Sequence, residues 1–268
     1  METDNNYYAL VTGASMGIGK AIASELASRN RNVILHSLPG QDVSGLCEEL
    51  GNIHQINTLY YEVDLTEKDG PQLLFEFVNS KKCKVNLLIN NAGIGFEGPI
   101  ESYSVKQIES MILLNIRALT LLTYYFTPEL KSNKESYILN ISSFGCYIPT
   151  AYKSIYLASK SYIYFFTRAL ESEFKGTALH TCVMVPSAVR TNKNVLDRIE
   201  RNGWFSRETA LSPEEVALIG IKGMFRGRRV IMPGVFTNLF FNFGLLVPEG
   251  IIIWLTRRIF RNYRQADQ

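Results

Sequence analysis

The sequence predicts an α/β fold in three layers, with a doubly wound parallel sheet of about seven strands between two layers of helices. Short apolar runs typical of strands alternate with helical patterns almost from the first residue, as in successive βαβ units. The chain has 268 residues, of which 46% are hydrophobic, and can therefore bury the core that a sheet covered on both faces requires.

The first half of the chain consists of strand-like runs separated by helical segments. Strands are expected at YYALV, NVILH, TLYYEV and VNLLIN. Helices are expected between them, at GKAIASELASRN, VSGLCEEL and PQLLFEFVNS. The order of these segments is that of a parallel sheet built from βαβ units.

The second half continues this alternation and then interrupts it. We expect a long helix from about Ser104 to Leu130, the strand SYILNIS, a helix from about Ala151 to Phe174 and the strand HTCVMV. The segment 188–211 is charged and aperiodic, which predicts a loop. Ser212 and Pro213 then predict the N-cap and first turn of a helix at PEEVALIGIKGMF, and RRVIM predicts a final short strand.

The chain is expected to form one domain, 1–234, followed by a C-terminal extension, 235–268. The apolar part of the extension is interrupted, so no run reaches the roughly 18 residues of a membrane-spanning helix. The interrupting residues are Asn238, Asn242, Pro248, Glu249 and Gly250. Apolar and basic residues then lie near helical spacing: Ile251, Ile252, Leu255, Ile259, Arg257, Arg258, Arg261 and Arg264. We expect the extension to pack on the domain or on a second subunit, with an anionic membrane surface as the alternative.

The composition argues against several classes of protein. The 28 basic and 25 acidic residues give a formal charge of +3, a balance too even to suggest nucleic-acid binding. The four cysteines, Cys47, Cys83, Cys146 and Cys182, have no paired spacing, so we expect neither a metal site nor a disulfide framework. The N-terminal METDNNYY is polar and acidic, unlike a signal peptide, and we expect a cytoplasmic protein.

The stretch LVTGASMGIGKA, residues 10–21, allows two interpretations. Gly13, Ser15 and Gly17 spell the G-x-S-x-G of a serine hydrolase, whereas Gly13, Gly17 and Gly19 form a glycine-rich turn that suits a dinucleotide. A hydrolase serine normally follows several strands, and here only one strand precedes Ser15. The second interpretation is preferred, because glycines let the backbone approach a pyrophosphate at the N-terminus of the next helix.

Further motifs follow this turn at set places along the predicted sheet. Asp64 follows the third strand, Asn90-Asn91-Ala92-Gly93 closes the fourth, and Asn115 lies in the long helix. Ser142-Ser143 ends the fifth strand, and Tyr156-Leu-Ala-Ser-Lys160 begins the next helix. With Thr12 to Gly19, these motifs resemble the short-chain dehydrogenase/reductase family over nearly the whole chain, and the ending is similar to a bacterial branch of it. The resemblance implies a Rossmann fold.

The resemblance also implies a set of catalytic roles. Tyr156 would donate the proton to a carbonyl oxygen and Ser143 would hydrogen-bond the same oxygen. Lys160 would hold the nicotinamide ribose and lower the pKa of the tyrosine, while Asn115 would support a water path. Residues four apart share one face of a helix, so Tyr156 and Lys160 can point at one ligand. Ser142 and Asn90 are expected to be structural.

The cofactor implied by the resemblance is a nicotinamide dinucleotide. The expected binding residues, in addition to Tyr156 and Lys160, are Gly13, Ser15, Met16, Gly17, Ile18, Gly19, His36, Ser37, Asp64, Leu65, Asn91, Ala92, Gly93, Pro186, Val189 and Thr191. The second strand ends at His36, Ser37 and Leu38 without the acidic residue that binds the ribose of NAD, so NADP(H) is preferred and NAD(H) remains possible. Met16 and Leu38 lack the basic side chains common in NADP-dependent relatives.

The expected function is the interconversion of a small-molecule carbonyl and a secondary alcohol. Phe144, Tyr147, Tyr152 and Trp204 suggest a fairly apolar substrate, and the loop after Pro186-Ser187, where the family usually has Pro-Gly, is expected to close over it. A homo-oligomer, a dimer or a tetramer, is expected as well. The alternatives are an NAD-dependent alcohol dehydrogenase and a dinucleotide-binding regulator without turnover.

Overall fold

The computed structural model describes residues 6–191, 210–234, 250–251, 253–254 and 258. Its strands are β1 Tyr7–Thr12, β2 Asn32–Ser37, β3 Thr58–Glu62, β4 Lys84–Asn90, β5 Ser136–Ile141, β6 Leu179–Met184 and β7 Val230–Ile231. They form one seven-stranded sheet in the order β3-β2-β1-β4-β5-β6-β7, and all pairs are parallel. This sheet confirms the predicted Rossmann-like α/β fold.

Helices connect the strands. They are α1 Gly17–Ala27, α2 Val43–His54, α3 Gly70–Ser80, α4 Val105–Ile112, α5 Leu119–Ser132, α6 Ser154–Glu173 and α7 Pro213–Phe225. Short 3-10 helices lie at Ile100–Ser102 and Phe144–Tyr147. The predicted N-cap of α7 is confirmed, because the Ser212 hydroxyl accepts a hydrogen bond from the backbone N–H of Glu215 at 3.1 Å.

The helices cover both faces of the sheet with separate cores. Successive strand residues point to opposite faces, so Ala9 and Val11 belong to one core and Leu10 to the other. The first core contains α1, α2 and α7, whereas the second contains α3, α5 and the end of α6. Ile22 and Phe126, one from each side, are fully buried.

Two predicted helices differ from the observed ones. The predicted helix 104–130 is interrupted by a π-helical segment, Leu113–Ala118, between α4 and α5. The helix predicted from Ala151 begins instead at Ser154, because Tyr152 takes a left-handed conformation with φ +66° that the right-handed helix excludes. Both differences lie beside candidate catalytic residues.

The C-terminal extension lies mostly outside the described residues, as does Trp204. Of the apolar residues of the extension, Ile251, Ile253 and Trp254 are described, and all three are exposed. In the described part of the chain, every helix is too short or too polar to cross a membrane. The expected packing of the extension, its contact with a membrane and the domain boundary at 234 therefore stay predictions.

Candidate active site

The strand order reverses direction between β1 and β4, and the glycine-rich turn lies at this point. Ligands of open α/β sheets bind at such a reversal, outside the carboxyl ends of the strands. Gly13 and Gly17 have φ of +65° and +56°, a conformation that favours glycine. A side chain at Gly19 would overlap the carbonyl oxygen of Gly13, so the helix packs directly on the turn.

The Asn91 loop is joined to this turn. The Thr12 hydroxyl accepts hydrogen bonds from the backbone N–H groups of Asn91 and Ala92, both at 3.0 Å. The Asn91 amide donates to the carbonyl oxygens of Thr12 and Gly13 at 2.9 and 3.1 Å. The side chain of Asn91 therefore braces the turn, while the backbone of Ala92 and Gly93 continues along the crevice.

The first turn of α1 can bind an anion. Its first backbone N–H groups, which include those of Gly17 and Ile18, precede the helical hydrogen-bond ladder, and the turn contains no acidic residue. Met16 is 54% exposed beside it. The Thr191 methyl group would lie 3.1 Å from a side chain at Gly17, which places Thr191 against this turn.

His36 lies under the turn. Its Nδ1 accepts a hydrogen bond from the backbone N–H of Gly13 at 3.4 Å, and its Nε2 lies 2.9 Å from the carbonyl oxygen of Val63. Burial lowers the pKa of His36 to about 4, so the ring is neutral at pH 7. Because both nitrogens are engaged inside the protein, the geometry argues against the expected contact of His36 with a phosphate and favours a structural role.

The remaining residues expected at the adenosine end differ in how they are placed. Ser37 is fully buried, and its hydroxyl donates to the carbonyl oxygen of Leu38 at 3.2 Å. The Asp64 carboxylate accepts from the backbone N–H and the hydroxyl of Thr66 at 2.8 and 2.7 Å. The Leu65 side chain is buried in the core, which leaves its backbone as the part that can face a ligand.

Asn115 lies in the π-helical segment, where its side chain is fully buried. Its amide nitrogen donates to the carbonyl oxygen of Ile94 at 2.8 Å and to the hydroxyl of Ser159 at 2.9 Å. Its amide oxygen accepts from the backbone N–H of Ile94 at 3.0 Å. Asn115 therefore joins the loop after β4 to α6.

Lys160 and Tyr156 lie one turn apart on α6. Lys160 is only 6% exposed, and its Nζ donates to the carbonyl oxygen of Ile141 at 3.0 Å. Burial lowers the pKa of Lys160 to about 8. Its Nζ lies 5.8 Å from the centre of the Tyr156 ring. A side chain at Gly93 would approach Lys160 Nζ to 3.3 Å and Asn115 Oδ1 to 3.1 Å, so these groups meet in one place.

The two serines after β5 occupy different environments. The Ser142 hydroxyl is buried and donates to the carbonyl oxygen of Lys160 at 2.7 Å, which fastens α6 to the strand. Ser143 is half-buried at the start of the 3-10 helix Phe144–Tyr147. The next backbone N–H, of Phe144, donates to the carbonyl oxygen of Pro186 at 2.9 Å, which brings the loops after β5 and β6 together.

The loop after β6 is described as far as Thr191. Val189 pairs with Leu211 in a parallel bridge, and its side chain is part of the core rather than of an open pocket. The backbone N–H of Thr191 donates to the carbonyl oxygen of Val189 at 2.8 Å. The expected substrate loop continues from 192 to 209, outside the described residues.

Comparison with known proteins identifies the chain. A family model described as short chain dehydrogenase matches residues 7–201. The chain belongs to the short-chain dehydrogenase family. Inactive hydroxysteroid dehydrogenase-like protein 1 of Homo sapiens is 27% identical over 263 residues, which are 96% of this chain and 77% of that protein.

A bacterial relative and a solved structure agree with this assignment. An uncharacterised oxidoreductase of Staphylococcus saprophyticus is 31% identical over 186 residues, 68% of this chain and 78% of that protein. A short-chain dehydrogenase from Sphingobium yanoikuyae, solved in complex with NADPH, superposes with a TM-score of 0.78 at 23% identity and covers 97% of this chain and 98% of its own. Since vertebrate and bacterial relatives both match, the bacterial branch stays a prediction.

In this short-chain dehydrogenase, side chains that sequence reasoning did not single out also border the site. The Ser15 hydroxyl donates to the amide oxygen of Gln41, which lies in the loop after β2. The carboxylate of Glu97 forms an ion pair with Lys153 at 2.7 Å. Tyr103 contacts the segment just before α6. Apart from Ser15, these residues stand outside any recognisable motif, so the sequence carried no signal for Gln41, Glu97, Lys153 or Tyr103.

Proposed function

We propose that this short-chain dehydrogenase interconverts a carbonyl and a secondary alcohol on a fairly apolar small molecule, with NADP(H) as its cofactor. The observation that carries the proposal is the meeting of Lys160 and Asn115 beside Gly93, with the Tyr156 ring next to Lys160 and Gly95, near the point where the sheet reverses direction. A buried amine one helical turn from a tyrosine is costly for the fold, and such perturbed groups cluster at functional sites.

The residues present fit a dinucleotide. Gly13 and Gly19 leave no room for a side chain between the turn and its neighbours, so the turn packs closely on the Asn91 loop and on α1. The N-terminus of α1 suits a pyrophosphate. At the other end, the Lys160 ammonium beside Gly93 can donate to ribose hydroxyls.

The side chains divide the chemistry between them. When bound, the nicotinamide supplies the hydride for reduction or accepts it in oxidation. The Tyr156 hydroxyl gives its proton to the carbonyl oxygen, which becomes the alcohol oxygen, and Ser143 donates a hydrogen bond to the same oxygen. Lys160 remains mostly protonated at pH 7, and its positive charge stabilises the tyrosinate that Tyr156 becomes.

Two features support NADP(H) over NAD(H). The residues at the end of β2, Ser37 and Leu38, bring no negative charge toward a 2′-phosphate. The similar Sphingobium structure is a complex with NADPH. The side chains of Ser15 and Gln41, joined by their hydrogen bond, are neutral polar groups at the same rim.

The test is a steady-state assay of the purified chain with a panel of ketones, quinones and acyl-chain carbonyls, each with NADPH and with NADH. We expect turnover with apolar ketones and a higher kcat/KM for NADPH. Phe144 and Tyr147, on the 3-10 helix after Ser143, support the choice of apolar substrates. Turnover with NADH alone would support the proposed dehydrogenase activity but overturn the assignment of NADP(H) as the cofactor.

A dinucleotide-binding protein without turnover is the second candidate. It is favoured by the human relative, whose name describes it as inactive. The same assay separates the candidates, because a regulator would bind NADPH in a fluorescence titration and oxidise it with no substrate of the panel.

A homo-oligomer remains proposed as well. It is supported by two aromatic side chains that are widely exposed, Tyr124 on α5 and Phe165 on α6.

A further inference from the structure

We infer that Tyr103, Glu97 and Lys153 are positioning residues that hold the Tyr156 ring in place. They connect the loop 94–99 after β4 to the turn 148–153 before α6, and we call this connected pair of segments the tyrosine clamp. The inference rests on the proposed function, because it assigns these residues a role in orienting the proton donor.

The first part of the argument is the contact between the loop and the ring. A Cβ at Gly95 would lie 2.6 Å from Cδ2, 2.8 Å from Cε2 and 3.1 Å from Cγ of Tyr156. Real Cβ atoms do not approach other atoms so closely, so the Gly95 backbone lies directly against the ring. The position of the loop 94–99 therefore limits where the Tyr156 ring can lie.

The second part is a pair of hydrogen bonds to one carbonyl. The backbone N–H of Gly98 donates to the carbonyl oxygen of Tyr152 at 2.8 Å. The Tyr103 hydroxyl lies 3.3 Å from the same oxygen and 3.2 Å from the carbonyl oxygen of Phe96, so its one hydrogen is shared between the two segments. Tyr152 has φ +66°, and its carbonyl is fixed just before the first turn of α6, which contains Tyr156.

The third part is the ion pair between Glu97 and Lys153. Its N···O distance is 2.7 Å, and the side chains are only 13% and 18% exposed. Such a pair is better shielded from solvent and salt than one at the surface, and removal of one partner leaves a poorly solvated charge. Burial, and to a lesser extent the Glu97 carboxylate, raises the pKa of Tyr103, which keeps that hydroxyl protonated as a donor.

These contacts lie apart from the groups expected to bind the pyrophosphate. Hydrogen bonds join Thr12, Gly13 and Asn91 to each other. Loss of the clamp is therefore expected to lower kcat, because Tyr156 loses its alignment, and to leave cofactor affinity almost unchanged. A merely structural role would instead lower the melting temperature and cofactor affinity together.

The first test removes one oxygen atom, with Tyr103→Phe. We expect kcat to fall by about tenfold or more, with the dissociation constant for NADPH and the melting temperature within error of the wild type. Tyr60→Phe is the matched control, because Tyr60 lies on β3 and is 47% exposed. An unchanged kcat in Tyr103→Phe, in an enzyme that Tyr156→Phe inactivates, overturns the clamp alone. Full activity in Tyr156→Phe overturns the proposed function and the clamp together.

A readout without turnover is the ¹⁹F NMR spectrum of protein labelled with fluorotyrosine. The Tyr156 signal is assigned as the one that Tyr156→Phe removes. We expect one narrow Tyr156 signal in the wild type and a broadened or divided one in the Tyr103→Phe variant, which lacks the shared hydroxyl, and in Glu97→Gln. A single signal of unchanged width in both variants would show that the ring is held by other contacts.

The ion pair is tested by exchange of its charges. Glu97→Lys alone and Lys153→Glu alone are each expected to lower kcat by about tenfold or more, because two like charges then face each other. The double variant restores the pair in reverse and is expected to recover most of kcat. If the double variant instead loses as much kcat as the two single variants combined, the ion pair does not position Tyr156 and its assignment to the clamp is wrong.

Discussion

The glycine-rich turn and the tyrosine clamp lie at the same edge of the sheet but are stabilised in different ways. The turn depends on missing side chains at Gly13 and Gly19 and on hydrogen bonds that the Asn91 amide and the Thr12 hydroxyl form with backbone groups. The clamp depends on side chains, an ion pair and a shared hydroxyl, that join segments far apart in the chain. We therefore expect that cofactor binding at the turn and proton transfer from Tyr156 can be disrupted separately.

The largest effect on the turn is expected from Gly19→Val. The new side chain would overlap the carbonyl oxygen of Gly13, so the turn must move and NADPH binding is expected to be lost. We expect no saturation in a fluorescence titration with NADPH. Overpacking of this kind also costs about 1–3 kcal/mol of stability.

Gly176→Ala is the control for that variant. Gly176 has φ +85° but no atoms within 4 Å of a new Cβ, so only backbone strain is added. Its cost is expected to be about 1 kcal/mol, with unchanged NADPH binding. Normal binding in Gly19→Val would contradict the account of the turn.

Lys160→Met is expected to give an inactive protein that is more stable. The folded protein holds the pKa of Lys160 at about 8, against 10.5 for the free side chain, so burial of the charge costs about 3 kcal/mol below pH 8. The unfolded chain binds the extra proton between pH 8 and 10.5, and the penalty therefore disappears as the pH rises through this window. Methionine carries no charge and removes the penalty at every pH.

Urea unfolding of the cofactor-free proteins at pH 7.5 and pH 10.5 measures this difference. The variant is expected to exceed the wild type in free energy of unfolding at pH 7.5, and the gap is expected to narrow at pH 10.5. A variant less stable than the wild type at pH 7.5 would show that the Lys160 ammonium stabilises the fold.

A smaller, acid-dependent effect is expected at His36. Its folded pKa of about 4 lies below the ordinary 6.5, so the unfolded chain binds a proton that the folded chain does not as the pH falls from 6.5 toward 4. Stability falls in that window, by about 2 kcal/mol at pH 5. His36→Gln is expected to lose this pH dependence while it keeps polar atoms near Gly13 and Val63. The free energy of unfolding of both proteins is measured at pH 7 and at pH 5. An equal loss of free energy between the two pH values in the wild type and in His36→Gln would contradict this prediction.

The smallest effect is expected from Leu38, which follows β2 and is 46% exposed. Leu38→Asp places a carboxylate where an added 2′-phosphate is expected, and should shift the ratio of kcat/KM values toward NADH by about tenfold. Leu38→Arg should shift it in the opposite direction. The two variants sharpen the cofactor assignment, because equal ratios in both would place the adenosine end elsewhere.

The features that sequence predicted are those specified by neighbouring residues. The Ser212 cap and the glycine spacing of the turn are set by residues within a few positions of each other. The strands and the crossovers between them follow from the alternation of apolar runs. The π-helical segment was not predictable, because the buried amide of Asn115 forms hydrogen bonds with Ile94 and Ser159 across the fold. Tyr103 and Tyr152 stand 49 residues apart, and no periodicity relates them.

The geometry argues against the expected phosphate contact of His36 for a related reason. His36 lies near the end of β2, where a residue could bind a phosphate. Its ring is instead buried below the turn, and its Nε2 lies within hydrogen-bond distance of the carbonyl oxygen of Val63. The residue type and position along the strand were visible in the sequence. The direction of the side chain depended on packing against β3, which no local pattern reveals.

The central claim, that Tyr156 supplies the proton in an NADP(H)-dependent reduction, is tested most directly by single-turnover transfer of deuterium from 4-deuterated NADPH to a ketone that the wild type reduces. We predict that the wild type places deuterium on the carbinol carbon. We predict that Tyr156→Phe binds NADPH with the same dissociation constant but transfers deuterium at least about a hundredfold more slowly. Transfer at the wild-type rate by Tyr156→Phe would contradict the account.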